Sequence, residues 1–313
     1  MADVICKIDG MVFDSEKDMH KHLRTHKMRI VEYYQKYYPR HDKRDGKIIK
    51  FKTKDQYLNA DFNSRTNLKV WLKESSSEDR RIYCQELLEK RKERKQLIYA
   101  PSQVELRSTM SPPVQYYHEV FGNYYKLCEK IGFKNKYEKV IDVISGSEWY
   151  KPEYKILIDT REQKPLKFQN REIENMALKF GDYAFSSSTA TCNCYIERKS
   201  LADLIGTMSG GYERFIKEIK RAEESKAYLV ILVEDSLQNA LSFKYLPYIS
   251  KKIKATPEFI FHRIRGLIQK YPFIQFLFVK GRPEASRVTE RIFTCGCVYK
   301  KVDLQLAYDL NIL

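Results

Sequence analysis

Three short stretches in the second half of the chain decide the expected fold. They are ILIDTRE at residues 156–162, FGDYAF at 180–185 and YIERKSLADLIG at 195–206. The first and third begin with apolar, β-rich runs typical of buried strands, and the runs AYLVILVED at 227–235 and FIQFLFVK at 273–280 follow the same pattern. Because these runs alternate with helical patterns, we expect an α/β domain with a central mixed sheet flanked by helices.

Five segments around this sheet are predicted as helices. Each lies before, between or after the predicted strands, as in a layered α/β domain. They are NREIENMALKF at 170–180, SLADLIGTM at 200–208, GYERFIKEIKRAEE at 211–224, PEFIFHRIRGLIQKY at 257–271 and PEASRVTERIF at 283–293.

Acidic residues stand where the predicted strands end or turn. Asp159 ends its strand, and Glu162 follows three residues later. Asp182 follows Gly181, a residue whose backbone is free to adopt a turn conformation. Each of these acids is therefore expected at a strand end or a turn.

The strand CYIERK adds a glutamate and a lysine. Since side chains alternate along a strand, Glu197 and Lys199 point the same way while Arg198 points opposite. Four acids next to an apolar core are costly unless they serve a cation, and Mg²⁺ or Mn²⁺ prefers oxygen ligands and bridges to phosphate oxygens. The pattern therefore indicates metal-dependent hydrolysis of a phosphodiester, with Lys199 assisting the attacking water.

Taken together, these stretches resemble the XPF-type structure-specific nuclease family. The signature of that family is G-D, a variable spacer, E-R-K, three residues and D. Here it falls on Gly181, Asp182, Glu197, Arg198, Lys199 and Asp203. The resemblance covers about residues 153–297 and includes every acid of the signature. It implies an active, restriction-endonuclease-like (PD-(D/E)xK-like) nuclease core.

The resemblance also implies a role for each residue of the site. Arg198 and Asp203 would support the site, and Arg161 would approach the scissile phosphate or brace the acids. The implied ligands of Mg²⁺ or Mn²⁺ are Asp159, Glu162, Asp182 and Glu197. The implied catalytic residues are Asp182, Glu197, Lys199, Arg198 and Arg161.

The charge of the chain predicts a polyanionic partner. The formal net charge is +16, from 57 Lys and Arg against 41 Asp and Glu, and nucleic acid, DNA first, is the expected partner. No residue excludes RNA. In the predicted helix 211–224, Phe215 and Ile219 suit the core of a solvated amphipathic helix. The same helix also suits steering of a DNA backbone, through Arg214, Lys217, Lys220 and Arg221.

The first segment, residues 1–30, follows the spacing of a Cys2His2 zinc finger with one substitution. Asp9 stands where the second cysteine belongs, and the other ligand positions are Cys6, His22 and His26. Zn²⁺ accepts a carboxylate oxygen, and a segment this small has too little core to fold alone without a metal. The alternative is a finger that has lost its metal and packs on its neighbour.

Residues 31–147 are predicted to form a basic, mostly helical DNA-binding region. Within it, the stretch from Pro101 to Tyr137 resembles small helical DNA-binding repeats of some phage and homing endonucleases. The matching residues are Pro101, Ser102, Tyr117, Phe121, Gly122, Gly132 and Phe133. The resemblance would place DNA contacts on Lys126, Lys130, Lys134 and Lys136. A plain helical packing unit is the alternative.

We therefore expect three segments, at residues 1–30, 31–147 and 153–313, in a metal-dependent DNA endonuclease with N-terminal targeting modules. The alternative is a non-catalytic DNA-binding or assembly protein on a nuclease scaffold. Apolar faces near 257–271 and 283–294 either pair two subunits, as the resemblance implies, or cover the sheet of a monomer. Seven scattered cysteines and the absence of a membrane-spanning run indicate a cytoplasmic protein that is not secreted.

Overall fold

The computed structural model describes residues 4–51, 57, 60–145, 153–169, 171–188 and 193–313. The chain forms two compact units. Unit 1 comprises Met1–Arg80 with Thr109–Pro112, and unit 2 comprises Arg81–Ser108 with Pro113–Leu313. The division into segments 1–30, 31–147 and 153–313 stays a prediction.

The strands and helices follow in chain order. The described strands are β1 (Val4–Ile5), β2 (Val12–Phe13), β3 (Lys155–Asp159), β4 (Ile173–Met176), β5 (Tyr183–Ser186), β6 (Cys194–Lys199), β7 (Tyr228–Val233) and β8 (Ile274–Phe278). The described helices are α1 (Glu16–His22), α2 (Ile30–Tyr37), α3 (Arg65–Glu74), α4 (Ser77–Lys95), α5 (Gln103–Ser108), α6 (Val114–Phe121), α7 (Tyr124–Ile131), α8 (Val140–Ser145), α9 (Leu201–Met208), α10 (Tyr212–Glu224), α11 (Leu237–Leu241), α12 (Pro257–Lys270), α13 (Arg282–Thr294) and α14 (Leu304–Asp309). Among the described helices, none is long and apolar enough to cross a membrane.

Unit 1 begins with a ββα arrangement. β1 and β2 pair antiparallel, with Val4 opposite Phe13, and the Ser15 hydroxyl caps α1 by accepting the Asp18 N–H at 3.2 Å. The buried core of this unit includes Cys6 and the aromatic side chain of Tyr33 on α2. The finger-like segment therefore shares a core with the residues that follow it.

Unit 2 is built on a six-stranded mixed sheet in the order β4-β3-β5-β6-β7-β8. β3 pairs parallel with β4 and antiparallel with β5, β5 pairs antiparallel with β6, and β6, β7 and β8 run parallel. The strands β7 and β8 are buried almost throughout, as expected for parallel strands covered on both faces. The predicted mixed sheet flanked by helices is confirmed.

One predicted helix is wrong. Within the segment 170–180, residues 173–176 form β4, whose four residues are all exposed; residue 170 lies outside the described residues. β4 is an edge strand, and it pairs with β3 from Ile156 opposite Ile173 to Asp159 opposite Met176. Backbone pairing to a neighbouring strand outweighs the helical spacing of a short polar segment. β5, which was not predicted as a strand, lies on the other side of β3.

The helices α9, α10 and α12 pack with β7 and β8 in one buried cluster. In α12, Phe261, Ile264 and Ile268 belong to that cluster, whereas Phe259 is 42% exposed. The first three side chains therefore cover the sheet within the monomer. Pairing of two subunits through these helices stays a prediction.

The helices α5, α6 and α7 pack within unit 2. The Gln103 N–H donates to Asp303 Oδ2 at 2.6 Å, and the Tyr99 N–H donates to Gln269 Oε1 at 3.2 Å. Lys136 is half-buried, and its Nζ donates to the Ile268 carbonyl at 3.0 Å. These contacts fit the alternative of a helical packing unit, and they engage the Lys136 ammonium group in a contact within unit 2.

Candidate active site

Neighbouring strands bring the acidic stretches together. Asp159 is the last residue of β3, Asp182 immediately precedes β5, and Glu197 lies on β6. The Asp159 N–H donates to the Asp182 carbonyl at 2.9 Å, and the Asp182 N–H donates to the Ile196 carbonyl at 2.8 Å. The sheet itself therefore places the three acids on adjacent strands.

Gly181 is required for this arrangement on two counts. Its φ of +70° lies in the left-handed region that side chains rarely adopt. A Cβ at this position would also lie 3.2 Å from both the Ile196 carbonyl oxygen and the Tyr195 Cβ. Its N–H donates to Glu218 Oε1 on α10 at 3.3 Å. The glycine lets β5 turn tightly against β6 and sets the position of Asp182.

Glu197 and Lys199 share one face of β6, as the alternation along the strand predicts. Lys199 Nζ donates to Glu197 Oε1 at 2.7 Å and lies 5.3 Å from the centre of the Phe215 ring on α10. The two side chains are only 13% and 11% exposed. A buried ammonium group is thus held against a buried carboxylate.

Arg198 points to the opposite face and joins two acids. Its Nε and Nη2 donate to Glu162 at 3.1 and 3.0 Å, and its Nη1 donates to Glu234 at 3.0 Å. Its backbone N–H donates to Asp182 Oδ2 at 2.7 Å. Glu234 also accepts a longer contact of 3.4 Å from Arg282. Arg198 thus holds Glu162 and Glu234 together, while its supporting and catalytic roles stay predictions.

Asp159 is held by a full set of donors. Its Oδ1 accepts from the backbone N–H and Nε of Arg161, both at 2.7 Å, and its Oδ2 accepts from Arg161 Nη2 at 2.8 Å and the Leu178 N–H at 2.7 Å. The carboxylate is buried, and the Arg161 guanidinium lowers its pKa to about 2. Of the two roles predicted for Arg161, the structure contains the brace.

The buried acids differ in their electrostatics. Burial, reinforced by the charge of Glu162, raises the pKa of Asp182 to about 6. Burial raises the pKa of Glu197 to about 8; Lys199 opposes this rise, and the charges of Asp182 and Glu218 add to it. Burial acts in the same direction on Glu162, but hydrogen bonds from Arg198 and a backbone N–H bring the net pKa below its ordinary value. Of the four predicted metal ligands, Asp182 and Glu197 are therefore the two whose negative charge is least stabilised by neighbouring donors and cations.

Asp203 has a structural place at the start of α9. The Ser200 hydroxyl donates to Asp203 Oδ2 at 2.6 Å and accepts the Asp203 N–H at 3.2 Å, so that the two residues close the first turn of the helix. This contact fits the supporting role implied for Asp203.

Sequence reasoning missed three residues of this site. Glu234 directly follows the buried run of β7, the same signal that singled out Asp159. Glu218 lies three residues after Phe215 on α10, so it is an acid beside the apolar stripe of its helix. Arg282 opens α13 and has no comparable signal in the sequence.

The predicted DNA-contacting cations lie on the surface. On α10, Phe215 and Ile219 are buried, and the exposed residues include Arg214, Lys217, Lys220 and Arg221. On and after α7, the exposed residues include Lys126, Lys130 and Lys134. Exposure agrees with contact to a DNA backbone and equally with a solvated helix face.

The N-terminal candidate ligands also come together. One ligand atom from each of Cys6, Asp9, His22 and His26 lies within 4.8 Å of the other three. In the part of the chain that the structure describes, this is the sole group of metal-ligating side chains that converges so closely. His20, which does not belong to this group, lies with its Nε2 3.1 Å from the Tyr34 hydroxyl.

Comparison with known proteins finds one family model that matches part of the chain. Residues 158–290 match the family model described as the ERCC4 domain. Two solved structures are similar: XPF from Aeropyrum pernix is 16% identical with a TM-score of 0.34, over 50% of this chain and 68% of that one. XPF from Aeropyrum pernix in complex with DNA is 18% identical with a TM-score of 0.33, over 46% of this chain and 65% of that one. A search of curated proteins finds no significant match. Residues 158–290 therefore match the ERCC4 domain model, in agreement with the resemblance to the XPF-type nuclease family drawn from the sequence.

Proposed function

We propose that this protein is a divalent-metal-dependent DNA endonuclease that hydrolyses phosphodiester bonds. The observation that carries the proposal is the largely buried pair Asp182 and Glu197, whose pKa values are raised to about 6 and about 8 next to the ammonium group of Lys199. Buried acids with raised pKa values are typical of functional sites. The ERCC4 domain, which belongs to a DNA nuclease family, supports the same conclusion.

The donor set fits a hard divalent ion. Asp182 and Glu197 offer carboxylate oxygens, the ligands that Mg²⁺ and Mn²⁺ prefer, and a cation would offset the burial and the charge repulsion that raise their pKa values. An ion held there supplies Lewis-acid stabilisation of negative charge on the phosphate oxygens. Glu162 and Asp159 remain predicted ligands, but each would first exchange an arginine contact for the ion.

Lys199 is the proposed catalytic cation of the chain. One of its three N–H groups is used by Glu197, so another can donate to a water molecule or a phosphate oxygen at the site. The low exposure of the pair excludes most bulk water and strengthens this charge–charge interaction. The Arg161 side chain is 69% exposed, so it can approach a phosphate while it braces Asp159.

The surface charge supports DNA as the substrate. With a formal charge of +16, the chain attracts a polyanion, and the exposed cations of α10 lie on the helix that also carries Phe215 and Glu218 of the site. We propose that Arg214, Lys217, Lys220 and Arg221 guide the backbone toward the acids. We propose Lys126, Lys130 and Lys134 as further backbone contacts, and the N-terminal segment as a targeting module.

The test is cleavage of labelled single-stranded, duplex, flap and branched DNA with Mg²⁺, Mn²⁺ or a chelator. Wild type should cut in a metal-dependent manner, and Asp182→Asn should abolish cutting while DNA binding persists. Glu224→Gln, which removes an exposed carboxylate of α10, is the matched control and should cut normally. Binding without cutting by wild type in every condition would favour the non-catalytic scaffold instead.

A further inference from the structure

The cluster in unit 1 is a second constellation of chemically reactive groups, separate from the acids of the ERCC4 domain. Asp9 Oδ2 lies 2.7 Å from His22 Nε2 and 2.9 Å from His26 Nε2, and the two imidazole nitrogens lie 3.1 Å apart. The buried side chain of Cys6 completes the group within 4.8 Å. Four potential metal-ligand atoms, one sulfur, one oxygen and two nitrogens, therefore lie close together.

Hydrogen bonding alone does not account for these contacts. If both imidazoles carry a proton on Nε2 and donate to Asp9, the two N–H groups face each other at 3.1 Å. If only one carries a proton there, the other nitrogen and the carboxylate oxygen meet as two acceptors at 2.7 or 2.9 Å. With Asp9 as a carboxylate, no placement of protons on the two imidazoles makes all three contacts favourable, whereas a central cation makes each of the three atoms a ligand.

The spacing agrees with a tetrahedral ion. Bonds of about 2.0–2.1 Å to nitrogen and oxygen place neighbouring ligands on the order of 3.3 Å apart. The observed separations of 2.7, 2.9 and 3.1 Å are slightly shorter, so entry of the ion requires only a small outward shift of the side chains. Asp9 is oriented for this role, because its other oxygen, Oδ1, accepts the Met11 N–H at 3.1 Å. One thiolate and one carboxylate would balance the double charge of the ion. We propose that unit 1 binds Zn²⁺ through Cys6, Asp9, His22 and His26.

The site is built onto a core that does not depend on the ion alone. Cys6, Met19 and Leu23 of the finger are buried in one cluster with residues beyond it. Those further residues are Tyr33, Tyr34, Ile49, Phe51 and Tyr57. The Lys7 N–H also donates to the Tyr33 hydroxyl at 2.9 Å. We therefore expect zinc to stabilise a segment that is already packed. Removal of the zinc should lower the stability of unit 1 without unfolding the chain.

The first test is metal binding to the full chain after chelation, with Co²⁺ as the spectroscopic probe and excess Mg²⁺ present. Wild type should take up a single equivalent and develop thiolate-to-cobalt absorption, which carboxylates cannot produce; Zn²⁺ should displace it. Asp9→Asn should weaken binding at least about tenfold, because loss of even an outer-shell partner of a metal ligand typically costs about that much. Asp9→Cys should tighten binding and strengthen the thiolate absorption, because it adds a second thiolate.

Controls keep the assignment independent of the nuclease site and of folding. Asp14→Asn removes an exposed neighbouring acid and should bind like wild type. Asp182→Asn should leave the cobalt spectrum unchanged, so a failure of the proposed nuclease would not affect this result. Asp9→Cys should fold and gain affinity, which guards against a variant that merely misfolds. Absence of cobalt absorption in wild type, or absorption that neither Asp9 variant changes, would overturn the proposal.

Discussion

Removal of the Asp182 charge should stabilise the protein at alkaline pH while it destroys the site. The folded-state pKa of Asp182 is about 6 against an ordinary value of 3.8, so the folded state binds this proton more tightly than the unfolded state. That contribution to stability is fully present below about pH 3.8 and is lost as the pH rises through about 6. A rise of about two in pKa corresponds to about 3 kcal/mol, which we reduce to about 2 kcal/mol because the side chain is partly accessible to solvent.

The Asp182→Asn variant does not titrate and keeps an oxygen to accept the Arg198 N–H, so it avoids this loss. At about pH 8, with chelator present, its free energy of unfolding should exceed that of wild type by about 2 kcal/mol, and its Tm by about 4–8 °C. At about pH 4 the two proteins should be equal. Urea denaturation at both pH values measures the difference.

A control variant and two contrary outcomes test this prediction. The Glu224→Gln control should show no pH-dependent gain, because Glu224 is exposed at the end of α10. If the stability difference between Asp182→Asn and wild type were the same at both pH values, or if Asp182→Asn were less stable at about pH 8, the argument that the ionised Asp182 carboxylate destabilises the fold would be refuted.

Three other substitutions test the site. Lys199→Met should abolish DNA cleavage and destabilise the fold at about pH 8, because Glu197 would lose the partner that opposes the rise of its pKa. Urea denaturation and DNA-cleavage assays measure the two effects, and an unchanged free energy of unfolding with unchanged cleavage would show that the pairing is unimportant. Glu218→Gln removes a charge that raises the pKa of Glu197, so the acidic limb of the pH–rate profile should move to lower pH, and an unmoved limb would contradict the assignment. Gly181→Ala should cost about 1–3 kcal/mol of stability, because of the φ of +70° at this position and the close Ile196 carbonyl. Gly206→Ala is the control in α9; with open space around it, it should be neutral or slightly stabilising. Equal unfolding midpoints of the two variants would contradict the requirement for glycine at position 181.

The sequence was most informative where a strand ends in an acid. Asp159 and Glu197 follow clear apolar runs, and the alternation along a strand placed Glu197 and Lys199 on one face, as observed. The conformation of Gly181 also followed from its place before Asp182, because only a residue without Cβ turns so tightly there.

Other features depend on contacts distant in the sequence. β4 was predicted as a helix because its periodicity is local, while its strand conformation comes from pairing with β3. The binding of Arg198 to Glu162 and Glu234 joins three strand ends, and no spacing in the sequence indicates it. For the same reason the half-burial of Lys136 was missed, because the Ile268 carbonyl that it contacts lies 132 residues away.

The bond between Gln103 and Asp303 has a consequence for synthesis of the chain. The two residues are 200 positions apart, so α5 has no such partner until the ribosome has made the residues of α14. At about 5–20 residues per second, that delay is about 10–40 s. During this interval the nascent helices α5 to α7 expose surface that later becomes interior. Unit 2 is therefore expected to complete its folding late, and chaperones that hold nascent chains should bind it preferentially before residue 303 emerges.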